Sequence, residues 1–147
     1  FCRGRRTSDG TRVIRLALIM HEPLASAFAS CAEHVLGEKP DLFVFDIQAD
    51  ECTDTAVDRL LGQLQTQAPD SPATLILCDL YGATPFNVAR RVQQALQDQG
   101  QGAYLLTGTN MCMVLKALTE RRDNPEQFAQ DVMAGALRGI VHADCHC

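Results

Sequence analysis

The sequence contains no tryptophan and only two tyrosines, and aromatic residues make up 5% of its 147 residues. A platform for stacking nucleic-acid bases is therefore not expected. Basic residues are also few: 13 stand against 18 acidic ones, a formal net charge of −5 that gives no long-range attraction to nucleic acid or anionic lipid. No apolar run approaches the roughly 18–20 residues that cross a bilayer. We therefore expect no nucleic-acid partner and no membrane insertion.

The features of a secreted protein are missing as well. No apolar segment of the kind found in signal peptides follows the arginines near the start of the sequence. The seven cysteines are odd in number and irregularly spaced, and Cys31 and Cys78 lie in apolar segments where a thiol acts as a small core residue. We therefore expect a cytoplasmic protein.

Metal-capable side chains cluster in the tail. This cluster is terminal and lacks a second half, so the sequence predicts neither a metal site nor a cofactor. Its members are His142, Cys145, His146 and Cys147.

What the sequence does have is a globular balance, with 46% hydrophobic and 21% charged residues, enough for one domain with a real core. Apolar runs and amphipathic segments alternate along it. Strands are predicted at 13–20, 42–46, 74–78 and 103–107, with a short final strand at 139–141. Helices are predicted at 24–36, 54–67 (with Thr53 as N-cap), 87–97, 111–118 and 126–137.

This alternation predicts an α/β fold, namely a doubly wound, mostly parallel sheet of about four strands with helices on both faces. We place a single domain at 13–141. Residues 1–12 are predicted to be a disordered leader or an expression remnant, and residues 142–147 a flexible tail.

Chemistry in such open sheets collects at the carboxyl ends of the strands. His21 ends the first predicted strand, whereas the other histidines lie in a helix or in the tail. Asp79 ends the third strand. A carboxylate bound to Nδ1–H would fix the tautomer of the imidazole and leave Nε2 free as a nucleophile. The plain alternatives are an ordinary loop histidine and a carboxylate that caps the next turn.

The segment after Asp79 reads Leu-Tyr-Gly-Ala-Thr-Pro-Phe-Asn and opens the third helix. Its small residues allow close approach of a ligand to the backbone, and the N–H groups of a helix N-terminus favour an anion. It has neither the lysine of a phosphate-binding loop for nucleotides nor the glycine spacing of a dinucleotide site. Together with His21 and Asp79, it indicates a small cradle for one phosphoryl group carried on a histidine.

Four blocks of sequence carry a family resemblance. They are HEPLA at 21–25, LGE at 36–38, DLYGATPFN at 79–87 and TGTNMCM at 107–113. Over roughly 13–141 the sequence resembles enzyme IIA of the mannose/fructose/sorbose class of the bacterial phosphoenolpyruvate-dependent sugar phosphotransferase system. The third and fourth blocks are similar to the DLFGGTPFN and TGVNLPM of that family.

The resemblance implies a role for each matching residue. His21 would accept a phosphoryl group from phospho-HPr and pass it to an enzyme IIB partner, with Asp79 hydrogen-bonded to its ring. The phosphoryl group would be bound by Gly82, Ala83, Thr84 and Asn110. The resemblance also implies a homodimer with the strand at 139–141 crossing to the partner's sheet, and docking to a membrane permease complex.

Several alternatives stay open on sequence alone. The carrier could serve sugar uptake or its regulation. A second reading is the related phosphotransfer subunit of dihydroxyacetone kinase. A third is a docking module whose departures from the family pattern at Met20 and Glu22 have ended transfer. An unrelated flavodoxin-like domain would require His21 and Asp79 to lie apart in space.

Overall fold

The computed structural model describes residues 14–67, 70–120 and 124–144. The predicted leader at 1–12 and the last three residues of the predicted tail lie outside these ranges. The described elements are β1 (Arg15–His21), α1 (Leu24–Leu36), β2 (Phe43–Ile47), α2 (Thr53–Gln67), β3 (Ala73–Cys78), α3 (Thr84–Asp98), β4 (Gly102–Leu106), α4 (Met111–Thr119) and α5 (Pro125–Arg138).

The four strands form one parallel sheet in the order β2-β1-β3-β4. Alternate residues of a strand point to opposite faces, so Leu16 and Leu18 pack with α1, α4 and α5, whereas Ala17 and Ile19 pack with α2 and α3. Both faces of the central strands are thus covered, which explains why β1 and β3 appear in the sequence as continuous apolar runs. The predicted α/β fold is confirmed.

Most predicted boundaries fall within a residue or two of the observed ones, and α1 coincides with its prediction. The largest difference is α3, which begins at Thr84, three residues before the predicted start. Pro85 occupies its first turn, where a fixed φ suits the helix and no N–H is needed. Thr53, predicted as the N-cap of α2, is instead its first residue.

The predicted final strand at 139–141 is wrong for the chain taken by itself. Gly139 donates its N–H to the carbonyl groups of Gly135 and Ala136, which ends α5 in a turn. Ile140 and Val141 beyond it are 72% and 70% exposed and belong to no strand in the part of the chain that the structure describes. Exchange of this segment between two copies stays a prediction.

Arg15 is a charged residue inside the core, 3% exposed at the amino end of β1. Its guanidinium donates to Thr74 Oγ1 at 2.9 Å, to the carbonyl of Leu64 at 2.8 Å and to Gln101 Oε1 at 2.5 Å. Burial lowers the pKa of Arg15. The three bonds join β1, β3, α2 and the turn before β4, at the sheet edge opposite the carboxyl ends.

None of the helices in the described ranges combines the length and the apolar character that a membrane span requires.

Candidate active site

The structure brings His21 and Asp79 into direct contact. Strands β1 and β3 are neighbours, and their register pairs Ile19 with Cys78, so both strands end at the same edge of the sheet. The Nδ1 atom of His21 lies 2.7 Å from Asp79 Oδ2. The backbone N–H of His21 donates to the same carboxylate oxygen at 3.1 Å. The two side chains therefore do not lie apart, and the catalytic role of the pair stays a prediction.

The second oxygen of Asp79 is also hydrogen-bonded. Oδ1 accepts the N–H of Leu80 at 2.9 Å and lies 3.7 Å from the Cys78 thiol. Burial raises the pKa of that thiol to about 11, so the Cys78 S–H remains protonated and acts as a weak donor. Asp79 is therefore both the cap of the turn that follows β3 and the partner of the imidazole.

The hydrogen bonds of Asp79 determine the direction in which its pKa is shifted. Burial alone would raise the pKa of Asp79, whose side chain is only 11% exposed. The hydrogen bonds from the ring and backbone of His21 and from the Leu80 amide outweigh that effect and lower the pKa of Asp79 below its ordinary value. Asp79 is thus an anion at neutral pH and accepts a proton-bearing Nδ1.

The imidazole is half open to its surroundings, with 47% of the His21 side chain exposed. Because Nδ1–H is bound to Asp79, the neutral ring carries its lone pair on Nε2. That nitrogen can act as a nucleophile or accept a proton, and the nearby carboxylate would stabilise a positive ring.

The predicted phosphoryl-binding loop lies at the N-terminus of α3. Gly82 has φ +82°, a left-handed conformation that favours glycine, and a Cβ there would meet nothing within 4 Å. Ala83 is extended, with φ −82°, and is the N-cap of α3, so alanine in place of the family's second glycine introduces no strain. Thr84 is the first residue of the helix.

The N-terminus of α3 has backbone amides available to an anion. The Ala83 cap provides no side-chain acceptor, and Pro85 has no N–H, which leaves the amides of Thr84 and Phe86 without the usual cap. The positive end of the helix dipole adds to the same effect. The ring of Tyr81 packs on that of Phe86, with centroids 4.8 Å apart, and this contact joins the two ends of the loop.

Asn110 follows β4, the next strand of the sheet, and both polar atoms of its side chain form hydrogen bonds within the protein. Its Oδ1 accepts the N–H of Met113 at 3.0 Å and thereby caps α4, and its Nδ2 donates to the carbonyl of Ala136 at 3.4 Å. The preceding Thr109 is tied to β3 through Oγ1, which donates to the carbonyl of Cys78 at 2.7 Å. Asn110 thus supports the edge on which the site is built, and direct binding of a phosphoryl group by it stays a prediction.

The sequence analysis missed one polar pair at this edge. Asp46 is the fourth residue of β2 and binds Ser26 in the first turn of α1, through the Ser26 backbone N–H at 3.2 Å and through its hydroxyl group. The sequence signal resembled that of Asp79: a carboxylate after an apolar run. No sequence feature, however, identified Ser26 as its partner.

Metal-capable side chains do not gather in the described ranges into a group of three or more suited to an ion. His142 lies 4.0 Å from Asp144. The other members of the tail cluster, Cys145, His146 and Cys147, fall outside the described residues.

Comparison with known proteins adds a family and a fold. The family model described as PTS system fructose IIA component matches residues 15–133. The PTS system mannose-specific EIIAB component of Escherichia coli (strain K12) is 27% identical over 112 residues, which are 76% of this chain and 33% of that protein. The same figures hold for the protein of that name from Shigella flexneri. The chain thus spans about a third of the length of the curated relatives it matches.

Solved structures share the architecture. The mannose/sorbose specific IIA subunit of the phosphotransferase system from Enterococcus faecalis aligns with a TM-score of 0.78 and 23% identity, covering 92% of this chain and 98% of that one. Component EIIA from Streptococcus agalactiae aligns with a TM-score of 0.74 and 22% identity, covering 90% and 99%. At this level of identity the two structures establish the fold.

Proposed function

The chain belongs to the fructose IIA component family of the phosphotransferase system (PTS), and from that premise we propose that it is a phosphocarrier of a sugar PTS in which His21 carries the phosphoryl group. The observation that carries the proposal is the 2.7 Å contact between His21 Nδ1 and Asp79 Oδ2. It commits one ring nitrogen to a carboxylate and leaves the other as the nucleophile.

The transfer step balances with the groups present. The Nε2 lone pair of neutral His21 forms a bond to phosphorus, while the bond breaks between phosphorus and the donor atom that carried it. The electron pair of the broken bond stays on that donor atom. The proton on Nδ1 remains in place, so the phosphorylated ring is a cation opposite the Asp79 carboxylate. No cofactor is needed, since the protein itself is the covalent intermediate.

The phosphoryl oxygens would be received at the N-terminus of α3. The uncapped amides of Thr84 and Phe86, the Thr84 hydroxyl and the backbone around Gly82 and Ala83 provide donors next to the positive end of the helix. The donors are fixed before the group arrives, which favours a charge that develops during transfer.

Donor and acceptor are also part of the proposal. We assign phospho-HPr as the donor and an enzyme IIB as the acceptor, in sugar uptake or its regulation, with the chain acting as a cytoplasmic homodimer that docks to a membrane permease complex. The names of the relatives include a B component and mannose or sorbose, so the IIB components of mannose and sorbose systems are the first acceptors to test.

The test is phosphorylation of the purified chain with phosphoenolpyruvate, enzyme I and HPr, followed as acid-labile phosphate by intact mass. One phosphoryl group should appear on the wild-type chain and none on His21→Ala. His34→Ala is the matched control, because His34 is an exposed histidine on α1, away from the strand ends, and should be modified like the wild type. A wild-type chain that stays unmodified beside charged HPr would contradict the proposal and favour a docking module.

A further inference from the structure

The segment that follows His21 is short. Only Glu22 and Pro23 separate the histidine from the first residue of α1. Glu22 donates its N–H to the carbonyl of Ile47 at 3.1 Å, which extends the pairing of β1 with β2 by one bond. Pro23 is the N-cap of α1 and forms no side-chain capping bond. The position of His21 relative to α1 therefore depends on what else holds the start of that helix.

Asp46 provides that hold from the neighbouring strand. Its Oδ1 accepts the backbone N–H of Ser26 at 3.2 Å, and its Oδ2 accepts the Ser26 hydroxyl. Ser26 is the third residue of α1, the position whose N–H an N-cap side chain ordinarily binds. In the β1–β2 register Asp46 pairs with Met20, the residue before His21. The carboxylate thus joins the strand beside His21 to the helix that follows it.

The two helices that begin at this edge differ in one respect. Neither Pro23 of α1 nor Ala83 of α3 provides a side-chain cap. In α1 the Asp46 carboxylate takes that place, and its charge complements the positive end of the helix. The start of α3 has no such carboxylate among its described hydrogen bonds. The N-terminus of α3 therefore still has amides available to an anion, whereas that of α1 already has a carboxylate partner.

We propose that Asp46 is a positioning residue for phosphoryl transfer: by binding Ser26 it fixes the segment between His21 and α1, and with it the backbone that presents the Asp79-bound imidazole. The inference rests on the proposed phosphocarrier function. It assigns the effect to the hydrogen bonds of Asp46 with Ser26, and a side chain that keeps those bonds should replace it.

The experiment measures phosphorylation rates against phospho-HPr concentration in four variants. Asp46→Ala removes the bonds, whereas Asp46→Asn keeps an oxygen that accepts the Ser26 N–H and presents an N–H₂ group that can donate to the Ser26 hydroxyl. Ser26→Ala removes the hydroxyl and keeps the N–H, and serves as the milder variant if Asp46→Ala folds poorly. Asp50→Ala is the matched control, because it removes a carboxylate from the same groove that Asp46 lines.

Asp46→Ala should lower the maximal rate about tenfold or more, with the half-saturating concentration of donor unchanged, because misplacement of a reacting atom affects the rate rather than docking. Ser26→Ala should change the maximal rate in the same direction by less. Asp46→Asn and Asp50→Ala should stay near the wild type. A wild-type rate in Asp46→Ala, an equal loss in Asp46→Asn, or an equal loss in Asp50→Ala would overturn the assignment.

A second readout separates this inference from the proposed function. In the unphosphorylated protein, solvent exchange of the His21 Nδ1 proton, followed by NMR, should be faster in Asp46→Ala than in the wild type and Asp46→Asn. If the wild-type chain takes no phosphate, the proposed function fails while this exchange still tests the positioning role. Equal exchange in all four variants would overturn it.

Discussion

A single oxygen of Asp79 accepts two hydrogen bonds from His21, one from its backbone N–H at 3.1 Å and one from its ring at 2.7 Å. The two donors belong to the same residue, so the carboxylate fixes both the end of β1 and the rotation of the imidazole. This grip accounts for the low pKa of Asp79 in spite of its burial. Asp79 is therefore the first residue to substitute in a test of the site.

Replacement of Asp79 by asparagine should disable transfer while the fold survives. The amide is neutral and can present an N–H₂ group to Nδ1, which would place the proton on Nε2 and remove the nucleophilic lone pair. We expect the rate of His21 phosphorylation to fall by about a hundredfold or more. Initial rates by mass spectrometry test this, with circular dichroism to verify the fold.

The control for this prediction is Asp131→Asn, which alters a half-buried carboxylate of α5 that accepts a hydrogen bond from Gln127. It should be phosphorylated at the wild-type rate. A rate in Asp79→Asn within about threefold of the wild type would contradict the role of Asp79 in holding the tautomer.

The low pKa of Asp79 also predicts how stability depends on pH. A carboxyl group whose pKa is lower in the folded than in the unfolded chain stabilises the fold fully above its unfolded pKa and loses that contribution as the pH falls through its folded pKa. The wild type should therefore exceed Asp79→Asn in free energy of unfolding at about pH 6, and the difference should shrink below about pH 4. Urea unfolding at several pH values measures it, and a difference that grows on acidification would refute this account.

Much of the fold follows from local sequence. Continuous apolar runs mark strands covered on both faces, and the alternation with amphipathic helices fixes a parallel sheet, so His21 and Asp79 could be placed at one edge without coordinates. The predicted start of α3 at 87 is three residues late, because the helix already includes Thr84 and Pro85, and proline suits a first helical turn.

What could not be predicted depends on contacts between distant residues. Asp46 caps α1 across a gap of 20 positions, and Arg15 finds acceptors 49 to 86 positions away. No periodicity or motif encodes such pairs. The segment at 139–141 has the apolar composition of a strand, but a strand also requires a neighbour to complete its hydrogen bonds, and α5 ends beside it in a turn.

Two glycines should respond to alanine with opposite signs. Gly82 has φ +82°, so Gly82→Ala should cost about 1–2 kcal/mol in free energy of unfolding even though a Cβ would meet nothing within 4 Å. Gly62 lies in α2 with equally open space and no positive φ, so Gly62→Ala should stabilise the protein by up to about 1 kcal/mol.

Chemical denaturation of both glycine variants tests the conformational argument, because neither change alters packing. Since Gly82 precedes the start of α3, its variant should also be phosphorylated more slowly than Gly62→Ala. Equal stability changes in the two variants would show that the backbone at Gly82 relaxes without cost.

The thiols of the folded chain should differ in reactivity. Cys52 is exposed, and hydrogen bonds from Thr55 and from the Asp54 amide at the start of α2 lower its pKa. Cys78 is buried and its pKa is raised to about 11. Among the four described cysteines, iodoacetamide should therefore modify Cys52 first and Cys78 last, as followed by peptide mass spectrometry.

Because the Cys78 thiol is the neighbour of Asp79, labelling of Cys78 should begin only when the strand ends that hold His21 open. Rapid labelling of Cys78 in a protein that still transfers phosphate would mean that this edge is looser than the hydrogen bonds around Asp79 imply.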